Sequence, residues 1–133
     1  MNKVTIAGIL GALAVGLGAF GAHGLKALIE PDQLVIYKTG VQYHMMHAIV
    51  LLGIALYLSQ HNNSRLNKAF WFILVGIFLF AGSLYLMSTR EVLGLTSWKW
   101  LGPITPLGGL SFIVGWLLIA FAGLNTRQKD TTL

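Results

Sequence analysis

Two histidines three residues apart, His44 and His47, are the side chains in this sequence best suited to do chemistry. A helix presents residues at this spacing on one face, so the two imidazoles are expected to lie together. Because imidazole titrates near neutral pH, such a pair can carry protons, bind a metal ion or report pH. The commoner alternative is a pair of neutral histidines that are hydrogen-bonded inside a helix bundle. Tyr43 and Tyr85 would either join that network or point to the membrane interface.

Other polar side chains are expected at the same depth as this pair, at one face of a membrane. We call the set the polar cluster, and its members are His23, Gln42, Tyr43, His44, His47 and Glu91. A catalytic zinc site usually has three protein ligands, so His23 completes one only if the first two helices meet at the right height. Neither a serine nucleophile elbow nor a phosphate-cradling loop is present. The sequence therefore predicts no catalytic residue, no cofactor and no metal site.

Four long stretches without Asp, Glu, Lys or Arg make up most of the 133 residues: 4–25, 39–64, 69–89 and 100–126. A bilayer core about 30 Å thick needs roughly 20 mainly apolar residues in an α-helix. Backbone groups in lipid must hydrogen-bond within their own segment, so each stretch is predicted to be a spanning helix. We therefore predict an all-α membrane protein, a bundle of four transmembrane helices with short loops. It forms a single domain over residues 1–133, with spans at about 4–22, 41–59, 69–88 and 104–124.

The composition supports the same class of protein. Hydrophobic residues make up 56% of the chain and charged residues only 10%, against roughly a quarter charged in soluble domains. The net charge of +5 comes from basic residues dispersed over the loops and tails. This distribution favours membrane lipids, and no nucleic acid, as the partner. The absence of cysteine excludes disulfides, thiolate nucleophiles, iron–sulfur centres and c-type haem.

The first span is rich in small residues at four-residue spacing. Such rows let helix backbones approach closely, so this span is expected inside the bundle or at a subunit contact. The run is longer than a usual signal-peptide core and rich in glycine, so we expect a retained helix. The predicted helix-packing residues are Gly8, Ala12, Gly16, Gly18 and Ala22.

Residues outside the spans predict helix boundaries and orientation. Pro31 between two acids indicates a helix start, and residues 34–37 are expected to form a short interfacial helix before span 2. The tail from Asn125 is polar and is expected to be mobile. Five basic residues on the face that carries both termini, against four on the other face, place the termini in the cytoplasm.

Four blocks of sequence, residues 18–25, 39–48, 80–85 and 101–109, together resemble the YgdD-like family of small uncharacterised inner-membrane proteins. The blocks occur in order and touch all four predicted spans. The resemblance implies a four-helix integral membrane protein, and it assigns no catalytic residue and no substrate.

Three functional hypotheses follow. The leading one is a non-enzymatic, multi-pass protein of the bacterial inner (plasma) membrane that acts by helix packing as a homo-oligomer. The alternative is a small transporter or channel component that moves a proton, an ion or an apolar solute through the polar cluster, because proline- and glycine-interrupted helices often line such sites. A metal- or haem-binding enzyme would depend on the three histidines alone. An enclosed apolar cavity beside them would favour a lipid-like ligand.

Overall fold

The computed structural model of the chain describes the backbone of residues 1–130 and the side chains of residues 1–124. Over that range the chain is helical, without strands. The elements are α1 (Lys3–His23), a 3₁₀ turn (Leu25–Ala27), α2 (Pro31–Gln60), α3 (Ser64–Gly76), a π-helical turn (Ile77–Ala81), α4 (Gly82–Thr89) and α5 (Leu101–Asp130).

Four helical units are long and apolar enough to cross a membrane: Lys3–Ala27, Pro31–Gln60, Ser64–Thr89 and Leu101–Leu124. In the third unit α3, the π-helical turn and α4 form one continuous helix. The predicted bundle of four apolar helices is therefore confirmed. The single domain over residues 1–133 and the cytoplasmic location of the termini stay predictions.

Local side-chain chemistry explains where the helices begin. The Asn2 side chain accepts a hydrogen bond from the Thr5 backbone N–H at 2.8 Å, and Asn63 accepts one from that of Leu66 at 3.0 Å. Both residues act as N-caps, satisfying backbone groups that have no partner within the helix. Pro31 occupies the first turn of α2, where its missing N–H costs nothing.

The predicted interfacial helix before the second span is wrong. Residues 34–37 do not form a separate interfacial helix, because α2 runs without a break for 30 residues from Pro31 to Gln60. Its length is about 45 Å, which exceeds the thickness of the bilayer core. Gly40 is buried against Tyr85 and Leu84, so this glycine serves close packing and does not end the helix.

The fourth span also differs from the prediction at both ends. It begins at Leu101, which places Pro103 in the first turn and Pro106 inside the helix. Pro106 has no N–H to donate, so the carbonyl four residues earlier loses its usual helical partner. Beyond the predicted end, helix continues through the polar tail from Asn125 to Asp130, and residues 131–133 lie outside the described part.

The helix α1 lies at the edge of the bundle. Within the described residues, no helix other than α2 comes close to its backbone. The contact is tight where Gly21 faces the ring of Tyr37, and where Gly18 faces Val41. Of the predicted packing residues only Gly18 lies in this contact, because Gly8, Ala12, Gly16 and Ala22 are exposed. The α1 residues that are buried are Ala7, Leu10, Ala14 and Gly21.

The third unit and α5 approach each other through glycines. A Cβ atom added to Gly108 would overlap the backbone nitrogen of Phe80 and lie 2.7 Å from its Cα. On the other side, the Phe112 ring fills the space beside Gly76, and Gly115 faces the side chain of Ile73. Because lipid supplies no hydrophobic drive between helices, this close contact is the main source of attraction in the seam.

The close contact between the third unit and α5 predicts different effects for alanine substitutions at two adjacent glycines. Gly108→Ala should lower the free energy of unfolding by about 3 kcal/mol, because the added methyl group meets backbone that cannot rotate away. Gly109→Ala is the matched control, since its added Cβ would lie 3.8 Å from the nearest atom of Phe80. Unfolding by sodium dodecyl sulfate in mixed micelles measures both. Equal stability of the two variants would contradict the close contact.

Candidate functional site

The two buried histidines lie near the middle of the bundle. His44 and His47 occupy the central turns of α2, and Phe112 and Trp116 lie near the centre of the span Leu101–Leu124. The pair lies deeper in its helix than a span starting at residue 41 implies, because α2 begins at Pro31 and adds several turns before His44. The position of the pair at a membrane face stays a prediction. We call these four residues together with Tyr37, Tyr43 and Tyr85 the central layer.

His47 has a partner for each ring nitrogen. Its Nδ1 lies 2.8 Å from the Tyr43 carbonyl oxygen, and the Trp116 indole N–H donates to Nε2 at 3.2 Å. Because an indole N–H only donates, Nε2 is the acceptor and Nδ1 carries the proton. His47 is thus a neutral imidazole with its hydrogen-bonding capacity used.

Packing holds His47 in the same place. Its ring stacks on that of Phe112, with centroids 3.6 Å apart and planes 12° apart, and only 3% of the residue is exposed. The bond from Trp116 also joins α2 to α5, two helices whose backbones do not approach closely in the described range. His47 therefore acts as a link between helices.

His44 differs from His47 in its hydrogen bonding. Its Nδ1 lies 3.0 Å from the Tyr85 hydroxyl, and only 4% of the residue is exposed. Its Nε2 is buried without a hydrogen-bond partner. The Leu10 carbonyl on α1 lies near the ring but outside hydrogen-bond geometry. A buried nitrogen without a partner costs free energy, so His44 is the least satisfied polar group of the layer.

Tyr37 connects this part of the layer to α1. Its hydroxyl donates to the Leu17 carbonyl at 2.7 Å, and its ring centroid lies 5.2 Å from that of Tyr85. Tyr37 is seven residues before His44, which puts both side chains on one face of α2. The expectation that Tyr85 joins a histidine network is confirmed by its contact with His44.

The other members of the polar cluster are not buried with the histidines. His23, Gln42 and Glu91 are exposed, and Tyr43 is 36% exposed, with its ring 4.5 Å from that of Phe80. Among the residues whose side chains are described, no three His, Cys, Asp or Glu side chains lie close enough to hold a metal ion. His44 pairs with α4 and His47 with α5, so the two imidazoles do not share one partner.

Hydroxyl groups elsewhere in the bundle bond to protein atoms. The Ser83 hydroxyl donates to the Phe80 carbonyl at 2.9 Å and lies 2.7 Å from that of Thr105. Ser88 donates to the Tyr85 carbonyl at 3.0 Å. Both serines therefore bond to carbonyls of their own helical unit.

Sequence reasoning missed three members of the central layer. The spacing of Tyr37 from His44, two helical turns, could have indicated that both lie on one helix face. It was missed because the predicted span began after Tyr37. For Phe112 and Trp116 no such signal exists, because nothing in one sequence tells which face of α5 meets α2. Aromatic residues in a span are ordinarily read as lipid-facing or as core.

The Trp116 bond predicts a stability difference between two tryptophan variants. Trp116→Phe should lower the free energy of unfolding by about 1 kcal/mol, because it leaves Nε2 of His47 buried without a donor. Trp100→Phe is the control, since Trp100 lies in the exposed loop before α5. Nitrogen-15 spectra of the imidazoles give a second readout. A wild-type His47 protonated at Nε2 would contradict the assigned bond.

Comparison with known proteins gives the family of the chain. The family described as "Protein of unknown function (DUF423)" matches residues 17–109. The chain is 42% identical to the UPF0382 membrane protein YwdK of Bacillus subtilis over 127 residues, which cover 94% of this chain and 98% of that protein. It is 37% identical to a UPF0382 membrane protein of Haemophilus influenzae over 129 residues, covering 96% and 98% respectively. No solved structure matches the chain.

These matches confirm the predicted resemblance to a family of small uncharacterised membrane proteins. A third relative, the UPF0382 membrane protein SAB0533 of Staphylococcus aureus, is 42% identical over 123 residues, covering 92% of this chain and 95% of that protein. None of the three names indicates an enzyme. With four helices able to span a bilayer, the protein is a multi-pass protein of the plasma membrane. The chain belongs to the DUF423 family of membrane proteins of unknown function.

Proposed function

We propose that this protein is a non-enzymatic membrane protein that acts as a homo-oligomer and assembles through the outward face of α1. The observation that carries the proposal is the position of α1 at the edge of the bundle, with a row of small residues turned away from α2. We call this row the outer α1 face, and it consists of Gly8, Ala12 and Gly16.

The outer α1 face has the space that a second helix needs. A Cβ atom added to Gly8 or Gly16 would meet no atom within 4 Å. Small residues at four-residue spacing let two helix backbones come close enough for dispersion and weak Cα–H bonds to hold them. Lipid chains fill such a shallow surface poorly, so burying it against a second copy is favourable.

The central layer supports a structural role for the conspicuous histidine pair. Both nitrogens of His47 are hydrogen-bonded, Nδ1 to the Tyr43 carbonyl within α2 and Nε2 to the Trp116 indole, which joins α2 to α5. The bond from Tyr37 to the Leu17 carbonyl joins α2 to α1. Interhelical bonds of this kind contribute roughly 1 kcal/mol each in membrane proteins. A histidine with both nitrogens hydrogen-bonded is a poor general base, because neither nitrogen is free for a substrate.

Leucine substitutions test the assembly. Gly16→Leu should weaken self-association by about tenfold, because the larger side chain separates the two backbones. Gly53→Leu is the matched control, since Gly53 is also exposed with open space around it but lies on α2. Light scattering in detergent and energy transfer between labelled copies in vesicles measure the association. The proposal fails if the wild-type protein is monomeric in vesicles, or if both variants associate equally well.

Gly18→Leu separates assembly from folding. Gly18 lies in the contact between α1 and α2, where an added Cβ would be 3.2 Å from Val41 Cγ1. This variant should lose stability within the monomer, whereas Gly16→Leu should unfold at the wild-type denaturant concentration when both are compared as monomers.

One observation favours proton movement as a second candidate function. Nε2 of His44 is buried in the middle of the bundle with no partner, and its other nitrogen contacts the hydroxyl of Tyr85. A histidine with one free nitrogen can take up and release a proton, as relays in membrane transporters do. A single copy of this size leaves little room for a path, so a conduit would need the oligomer.

Vesicle measurements test this second candidate. Protein-containing vesicles with an imposed pH gradient should lose it faster than empty ones, and His44→Ala should abolish the difference. His61→Ala is the control, because His61 lies in the exposed loop between α2 and α3. A rate equal to that of empty vesicles, or one unaffected by His44→Ala, excludes proton movement through His44.

A further inference from the structure

A polar cleft opens at the end of the bundle where α1 begins and α2 ends. Its volume is about 520 Å³. Amide, hydroxyl and imidazole groups from the end of α2 and the start of α3 line it beside one ammonium group. The residues that matter here are Lys3, Ser59, Gln60, His61, Asn62 and Asn67.

A second, less polar cavity adjoins this cleft. It has a volume of about 250 Å³ and shares Lys3, Leu58 and Ser59 with the first. From there it continues between α1 and α2, where Val4 and Ala55 line it. The two cavities together give a polar space at the end of the bundle that leads into a less polar groove, which Asn2 also lines. This shape fits an amphiphile with a polar head and a hydrocarbon chain.

The ammonium group of Lys3 is held at this junction. It lies 5.8 Å from the ring centroid of Phe70 and 6.0 Å from that of Trp71, both on α3. The attraction between the ammonium group and the two aromatic rings restricts the motion of the Lys3 side chain. Lys3 therefore reaches from α1 towards α3 and closes one side of the cleft with a positive charge.

Charge at this end of the bundle favours an anion. Among the residues with described side chains, the acidic ones are Glu30, Asp32 and Glu91, and all three lie at the opposite end. Lys3 shares its end with Arg65 and Lys68. A positively charged group with amide donors beside it suits a phosphate oxygen.

We propose that the cleft and groove bind a phosphate-bearing anionic lipid, whose phosphate contacts Lys3 and the amides of the cleft and whose acyl chain follows Val4 and Ala55. A free phosphate ion offers the same head chemistry. The lipid is the ligand inferred here, because the groove extends the cleft with apolar surface that a free ion does not use. Membrane lipids also surround this site at high concentration.

Charge-neutralising variants test the site. Native mass spectrometry of the delipidated protein in detergent measures the dissociation constant of phosphatidylglycerol. Lys3→Gln should raise that constant about tenfold, because a charge-assisted bond to phosphate is lost. Lys68→Gln is the matched control, since it removes the same charge at the same end of the bundle from an exposed residue that lines neither cavity. The dissociation constant of phosphatidylglycerol for Lys68→Gln should stay within about twofold of the wild-type value.

Competition distinguishes the lipid from free phosphate. Glycerol 3-phosphate and inorganic phosphate should displace the lipid only at concentrations at least a hundredfold above that of phosphatidylglycerol, because they cannot fill the groove. Equal effects of the two lysine variants would overturn the site in favour of general surface charge. Displacement by inorganic phosphate at lipid-like concentrations would overturn the lipid as ligand. The thermal unfolding temperature of the delipidated Lys3→Gln variant should fall only slightly, through loss of the contacts with Phe70 and Trp71. A small loss of stability beside a roughly tenfold loss of affinity separates lost binding from lost folding.

Discussion

The close contact between Gly108 and the backbone of Phe80 is the constraint on which the middle of the bundle depends. It fixes the distance between the π-helical turn and α5, and the next turn of α5 then places Phe112 beside Gly76. Phe112 in turn supplies the flat surface on which His47 stacks. Small displacements are transmitted through a closely packed interior. A shift at Gly108 would therefore move the Phe112 ring under His47 and the Trp116 indole that donates to it. A glycine on α5 thus controls the geometry of the central layer.

The two histidines show how different neighbours assign different roles to identical side chains. Both lie on α2, one turn apart, and both are almost fully buried. His47 faces α5, where an indole donor and a backbone acceptor satisfy both nitrogens. His44 faces α1 and α4, and it finds a partner only in Tyr85. Within a bilayer the unpaired nitrogen of His44 costs free energy, because no bulk water is present to form a hydrogen bond with it. The pattern explains why a structural function fits His47, whereas any proton chemistry would have to use His44.

The sequence predicted the four spans because the constraint behind them is general: a bilayer demands long apolar helices with satisfied backbone groups. Pro31 correctly indicated the start of α2, but the second span was placed after Lys38 and Gly40, because these residues resemble a span boundary. A lysine can extend its charged group towards the headgroups, and Gly40 packs against Tyr85, so neither residue ends the helix. The prediction that His44 lies at a membrane face follows from this choice of span start. The pairing of His47 with Trp116 depends on how α2 and α5 face each other, which no local pattern in either segment records.

The edge helix α1 connects the features from which the proposals start. Its inner face covers His44 near Leu10, its outer face presents Gly8 and Gly16, and its first turn carries Lys3. The bond from Tyr37 to the Leu17 carbonyl and the contact at Gly21 hold it to α2. A partner that displaced α1 would therefore change the surroundings of His44 while the bond between His47 and Trp116, made by α2 and α5, remained in place. A partner that acts through α1 would affect His44, which has an unpaired nitrogen, and would leave the hydrogen bonds of His47 unchanged.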